Sequence, residues 1–97
     1  MIASFGDRAT GDLYHGRRSK AARRLPPDIL SVALRKLDMI NAAEGLKDLT
    51  SPPGNRLEAL RGSLKGYHSI RVNDQWRIVF RWDTGEVHGV RITDYHS

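Results

Sequence analysis

The sequence closes on Asp94, Tyr95 and His96, with one residue after them. A carboxylate, a phenol and an imidazole are the side chains from which proton-transfer sites are built. An imidazole with a pKa of ~6.5 offers both protonation states at neutral pH, so His96 is the leading acid/base candidate. Asp94 stands two residues before it and shares its face in extended backbone, where a carboxylate raises the imidazole pKa or orients the ring. Tyr95 then points the opposite way and joins them only if the terminus bends out of regular β geometry. That bend is a prediction. Termini ordinarily fray and collect residues that do little, so other elements must hold these three in place.

Composition narrows the chemistry available. The chain has 97 residues and no cysteine, which excludes disulfides and thiolate metal sites and suits a reducing compartment. Its four histidines show no ligand spacing, so neither a metal nor a cofactor is expected. Sixteen Lys+Arg against eleven Asp+Glu leave a net charge of +5. Such a surface suits a polyanionic partner, either nucleic acid or an acidic protein, although solubility alone also explains it. No stretch is apolar enough for a signal peptide or a membrane span, so the expectation is one cytoplasmic, soluble domain over residues 1–97 with no membrane partner.

The elements that position the terminus follow from pattern. "MIASF" reads as a short strand, and residues 7–16 as a short helix weakened by Gly11 and stopped at Gly16. Arg17, Arg18, Lys20, Arg23 and Arg24 then concentrate five positive charges. Pro27 and Asp28 open a second helix. Leu30, Ala33, Leu34, Leu37 and Ile40 form one apolar stripe on it, and Gly45 is a natural stop. "TSPPGN" is a loop. Everything after it reads as β: "RLEAL", a "GSLKG" turn, a hairpin through residues 67–82, a "DTG" turn and "EVHGVRIT". The architecture is α+β, with two N-terminal helices packed on one face of a curved, mainly antiparallel sheet of four to five strands.

The hairpin register decides which residues share a face. A two-residue loop at Asn73-Asp74 mixes apolar and charged residues on both faces. A three-residue loop, Asn73-Asp74-Gln75, sets Val72 against Trp76, Arg71 against Arg77 and Ile70 against Ile78. Ile70, Val72, Trp76, Ile78, Phe80 and Trp82 then face the helices, joined by Val90 and Ile92. Arg71, Arg77, Val79, Arg81 and Arg91 face the other way. Like charges directly opposite one another are destabilising unless an anion, either substrate phosphate or a nearby carboxylate, sits between them. The plain alternative is a solvated sheet face.

"SPPGNRLEALRGSLKGYHSIRVNDQWRIVFRW", the helix "LRKLDMINAA", the opening "MIASF" and the terminal "DYH" together closely resemble the HigB-type, or killer protein, toxins of the RelE/ParE superfamily. The resemblance spans nearly the whole chain. It implies two helices on an antiparallel sheet, and a bacterial toxin that enters the ribosomal A site and cuts mRNA there. It also implies a helix-turn-helix antitoxin of HigA type through which the pair binds operator DNA. Superfamily members of ParE type instead poison DNA gyrase by binding, which is the alternative reading.

Metal-independent RNA cleavage needs a base for the 2′-OH proton and an acid for the departing 5′-oxygen. It also needs cations at the phosphorane-like transition state and a surface that holds the strand in line. The resemblance assigns Asp94, Tyr95 and His96 to the active site and matches Arg77 to the family arginine of the "WRI" strand, where it would clamp the phosphate. It aligns Glu58 with a position that is histidine in some members, leaving Glu58 either a base or a partner of Arg77. Arg61 falls on a basic position. The run Arg17, Arg18, Lys20, Arg23 and Arg24 would meet ribosomal RNA phosphates, and Lys65, Arg71, Arg81 and Arg91 complete the expected RNA- and ribosome-binding set.

Overall fold

The computed structural model describes residues 1–94, so Tyr95, His96 and the bend expected between them lie outside the described residues. Helix α1 spans Arg8–Tyr14. It starts where extended Asp7 accepts a hydrogen bond from the Thr10 N–H at 2.9 Å, an N-cap that satisfies one of the helix's orphan donors. It ends where His15 Nδ1 meets the Gly11 carbonyl at 2.8 Å and Gly16 turns at φ 72°. Helix α2 spans Leu30–Ala42, preceded by a 3-10 turn at Pro27–Ile29 that tightens the predicted first turn. Of the expected stripe, Ala33, Leu37 and Ile40 are buried, while Leu30 and Leu34 are half-buried. The stripe also contains a residue the pattern did not name. Lys36 is buried beside Leu37.

Four antiparallel strands follow: β1 (Glu58–Ala59), β2 (Tyr67–Arg71), β3 (Trp76–Asp83) and β4 (Glu86–Asp94), hydrogen-bonded in that order. The strand expected over residues 56–60 contracts to two residues. Arg56 at its start is left-handed, with φ 45°, and a 3-10 turn at Gly62–Leu64 takes the chain away after it. The hairpin register is the three-residue one, with Ile70 opposite Ile78 and Arg71 opposite Arg77. Asn73 closes that loop, its Oδ1 accepting from the N–H of Gln75 at 2.8 Å and of Trp76 at 2.7 Å. The N-terminal segment adds two parallel bridges, Ile2 to Val87 and Phe5 to Val90.

One core cluster joins Ala33, Leu37 and Ile40 of α2 to Ile70, Ile78, Phe80, Val87, Val90 and Ile92 of the sheet, with Trp76 and Trp82 packed against it. Val87 and Val90 are three apart, which strict alternation forbids. A bulge explains it: Val79 pairs with Arg91 but Arg81 pairs with His88, so β4 carries one extra residue. Gly89, at φ 63°, supplies the left-handed backbone this bulge requires. His68 is half-buried and stacks on Phe80 with ring centroids 6.2 Å apart, because the register sets the two directly opposite.

Candidate active site

The register assembles a second face from three rows. Arg71, Arg77 and Thr93 form one row, Ser69, Val79 and Arg91 the next, and Tyr67, Arg81 and His88 the third. Glu58, opposite Ser69, extends the same face onto β1. Arg77 and Val79 stand on this face as the alternation requires, but both are buried rather than solvated. The face is therefore not a plain row of solvent-exposed arginines.

Arg77 is held by groups from three segments. Its Nε donates to Ser69 Oγ at 2.9 Å, and an Nη donates to the Arg56 carbonyl at 2.6 Å. The other Nη lies 3.6 Å from the Glu58 carboxylate. The Arg56 carbonyl reaches Arg77 because the chain turns left-handed there, a conformation costing about 1–2 kcal/mol for a residue with a Cβ. Buried Asn55 steadies the turn, its amide donating to the carbonyls of Leu49 at 3.2 Å and Ser51 at 3.3 Å. Strain at this point is spent on aiming a carbonyl at a guanidinium.

The like-charged pair Arg71–Arg77 is relieved by carboxylates. Arg77 has Glu58, and Arg71 pairs with Asp74 of the hairpin loop. From the opposite side, Lys36 Nζ donates to the Arg71 carbonyl at 2.6 Å and anchors the end of the hairpin to α2. Burial, and then the positive charges of Arg35, Arg71 and Arg77, hold the Lys36 pKa below its ordinary value. Lys36, Ser69 and the Arg56 carbonyl were missed from sequence. A lysine three residues after Ala33 and four before Ile40, on the apolar stripe itself, was the available signal for the first.

The remaining expected residues distribute as follows. Arg81 pairs with Asp83 at 3.3 Å, and Arg91 lies half-buried opposite Val79. Asp94 stands opposite Trp76, in the core-facing column rather than that of Arg77, and accepts from the Gln75 amide at 3.0 Å. Arg61 and Lys65 are exposed on either side of the Gly62–Leu64 turn. The run at 17–24 is not brought to this face. Arg17, Arg18 and Arg23 rim a groove of about 640 Å³ floored by Leu13, Ala22, Leu25, Leu30 and Leu34, to which no strand contributes. Lys20 and Arg24 border a separate hollow with Arg8. Among the described residues no cluster of His, Cys, Asp and Glu could hold a metal ion, and no helix is long and apolar enough to cross a membrane.

Comparison with known proteins shows the family and the fold. Residues 4–96 match the family described as the RelE-like toxin of type II toxin-antitoxin system HigB. Toxin HigB-1 of Vibrio cholerae is 41% identical over 95 residues, covering 98% of this chain and 94% of the relative. Endoribonuclease HigB of Proteus vulgaris is 39% identical over 41 residues, covering 42% and 45%. Among solved structures, a mutant of YafQ from E. coli superposes with TM-score 0.64 at 14% identity, covering 97% of this chain and 93% of that one. YoeB in its complex with YefM from Staphylococcus aureus gives TM-score 0.60 at 16% identity, covering 100% and 99%. The fold, α+β with a four-stranded antiparallel sheet, is shared with YafQ and YoeB, and the match over residues 4–96, with the 41% identical relative, shows that this chain belongs to the HigB family of RelE-like toxins of type II toxin–antitoxin systems.

Proposed function

We propose that the chain is a metal-independent endoribonuclease that enters the ribosomal A site and cuts mRNA by attack of a ribose 2′-OH on the adjacent phosphorus. The products are a 2′,3′-cyclic phosphate and a 5′-hydroxyl. One observation carries the reading: Arg77 is held on the second face of the sheet by Ser69, the Arg56 carbonyl and Glu58, a cation set before any substrate arrives. The name of the Proteus vulgaris relative supports the reaction class.

In this scheme Arg77 stabilises the charge that builds on the phosphoryl oxygens. Glu58, a half-exposed carboxylate beside it, accepts the 2′-OH proton as that oxygen bonds to phosphorus. His96 donates a proton to the 5′-oxygen as the P–O bond breaks, with Tyr95 and Asp94 as its neighbours. The roles of Tyr95 and His96 rest on the family resemblance and on imidazole chemistry. Arg61, Lys65, Arg71, Arg81 and Arg91 hold the strand, and the 17–24 run contacts ribosomal RNA. The protein acts in the cytoplasm as one domain. Its restraint is a HigA-type helix-turn-helix antitoxin through which the pair binds operator DNA, a proposal supported by the family's description and by the antitoxin complex among the structural neighbours.

The test maps mRNA ends on translating ribosomes given wild type, Arg77→Ala or His96→Ala. New 5′-hydroxyl ends with wild type, absent with Arg77→Ala, support the reading. Growth arrest without any cut mRNA overturns it in favour of a binding toxin of ParE type. Full-rate cutting by His96→Ala removes His96 from the scheme while leaving the reaction class.

A further inference from the structure

The same face carries a cleft for which the proposed bond-breaking steps have no role. A cleft of about 190 Å³ lies beside the bulge, lined by Gly6, Leu64, Tyr67, Gly89 and Arg91. Two glycines leave its backbone bare. A Cβ on Gly6 would come within 2.6 Å of the Gly89 carbonyl oxygen, and Gly89 itself is left-handed at φ 63°. Tyr67 starts on β2, yet its hydroxyl ends 3.5 Å from where a Gly89 Cβ would stand on β4. The phenol therefore lies across β3. Val79 beneath this face is 1% exposed without belonging to the core cluster, so side chains laid over the sheet cover it. Arg91 forms the wall, its Cδ 3.3 Å from the Cβ position of Gly6.

A half-buried aromatic ring laid over a sheet, with a guanidinium beside it, is a platform on which a nucleobase stacks. Its position relative to Arg77 says which base. Same-face rows are about 7 Å apart, since neighbours in a row-to-row step are two residues apart along a strand. That matches the separation of successive phosphates in an extended single strand. The Tyr67 row is two rows from the Arg77 row.

We propose that this cleft binds the base two nucleotides from the bond held at Arg77, stacked on Tyr67, with Arg91 donating to acceptors on the base edge. The inference rests on the nuclease reading and adds a subsite to it. The cleft gives Tyr67 a substrate-binding role besides its packing over the sheet.

The experiment measures cutting on ribosomes programmed with a defined mRNA, using wild type, Tyr67→Phe, Tyr67→Leu and Tyr67→Ala. Each is also run on the same mRNA made abasic two nucleotides from the cut, on either side in turn. Base–aromatic stacking predicts a rise in KM of roughly 10-fold for Tyr67→Leu and Tyr67→Ala, with kcat little changed and Tyr67→Phe near wild type. Wild type should lose a similar factor on one abasic mRNA, and Tyr67→Ala should lose nothing more on it. Equal KM for wild type on all three mRNAs overturns the subsite, and that arm needs no variant to fold. A further full loss by Tyr67→Ala on the abasic mRNA also overturns it. Failure of wild type to cut any mRNA instead overturns the nuclease reading itself.

Discussion

Arg77 and Arg17 each stand 3.6 Å from a carboxylate, yet the two pairs are inverted. Arg77 is 9% exposed and its partner Glu58 is 51% exposed, whereas Arg17 is 66% exposed and its partner Asp12 is 8% exposed. In the first pair the structure fixes the cation and leaves the anion adaptable. In the second it fixes the anion, which staples Arg8 and Arg17 around α1, and leaves the arginine to solvent. In the proposed reaction, a fixed cation beside a half-exposed carboxylate is the arrangement that suits an incoming phosphate. A solvated cation is worth little to stability and acts mainly through long-range, salt-screened attraction.

The sharpest way to break this contrast is Arg77→Ala. Loss of a preset cation at the transition state should cut kcat about 100-fold or more, measured per folded molecule on translating ribosomes. Arg77→Lys should recover little, because one ammonium cannot reach Ser69, Arg56 and a phosphate together. A wild-type rate for Arg77→Lys would mean that simple charge, of the Arg17 kind, suffices. Next in size is Lys36→Ala, which leaves the Arg71 carbonyl without its donor and removes a buried stem. Thermal or urea unfolding should show a loss of about 1–3 kcal/mol, with Lys36→Met recovering part of it by keeping the stem without the disfavoured charge.

For the other region, a combined Arg17→Gln, Arg18→Gln, Arg23→Gln variant should keep its cutting rate on bound ribosomes. The slope of log affinity against log salt should fall by about three, one for each lost phosphate contact. An unchanged slope would take these arginines out of ribosome binding. The smallest effect concerns Asp12. Its pKa is lowered first by the Ser19 hydroxyl, with burial next in size and opposing, and then by Arg8 and Arg17. A depressed carboxylate pKa contributes stability that is complete above the unfolded value and disappears as pH falls through the lower folded value. Asp12→Asn should therefore flatten the acid limb of the stability curve while leaving activity at neutral pH unchanged.

Much of this arrangement was legible from spacing. The three-residue hairpin loop followed from requiring Ile70 to meet Ile78, and the register agrees. The apolar stripe of α2 followed from its period. The bulge was not legible: Val87, His88 and Gly89 break alternation where β4 also carries the N-terminal segment, whose Ser4 Oγ accepts from the Gly89 N–H at 2.9 Å. Nor was the shortness of β1, since nothing local announces that Arg56 turns left-handed.

The sequence by itself determined the periods, and with them which residues share a face: Arg71 with Arg77, and Ile70 with Ile78. It also carried a family pattern dense enough to name the fold. Only the tertiary structure decided that Arg77 is buried, that Lys36 ends on the Arg71 carbonyl, and that Val87 and Val90 reach one core across a bulge. The reason is range. A period is a property of neighbours along the chain, whereas these placements join residues 21 and 35 positions apart or depend on one inserted residue shifting a whole strand.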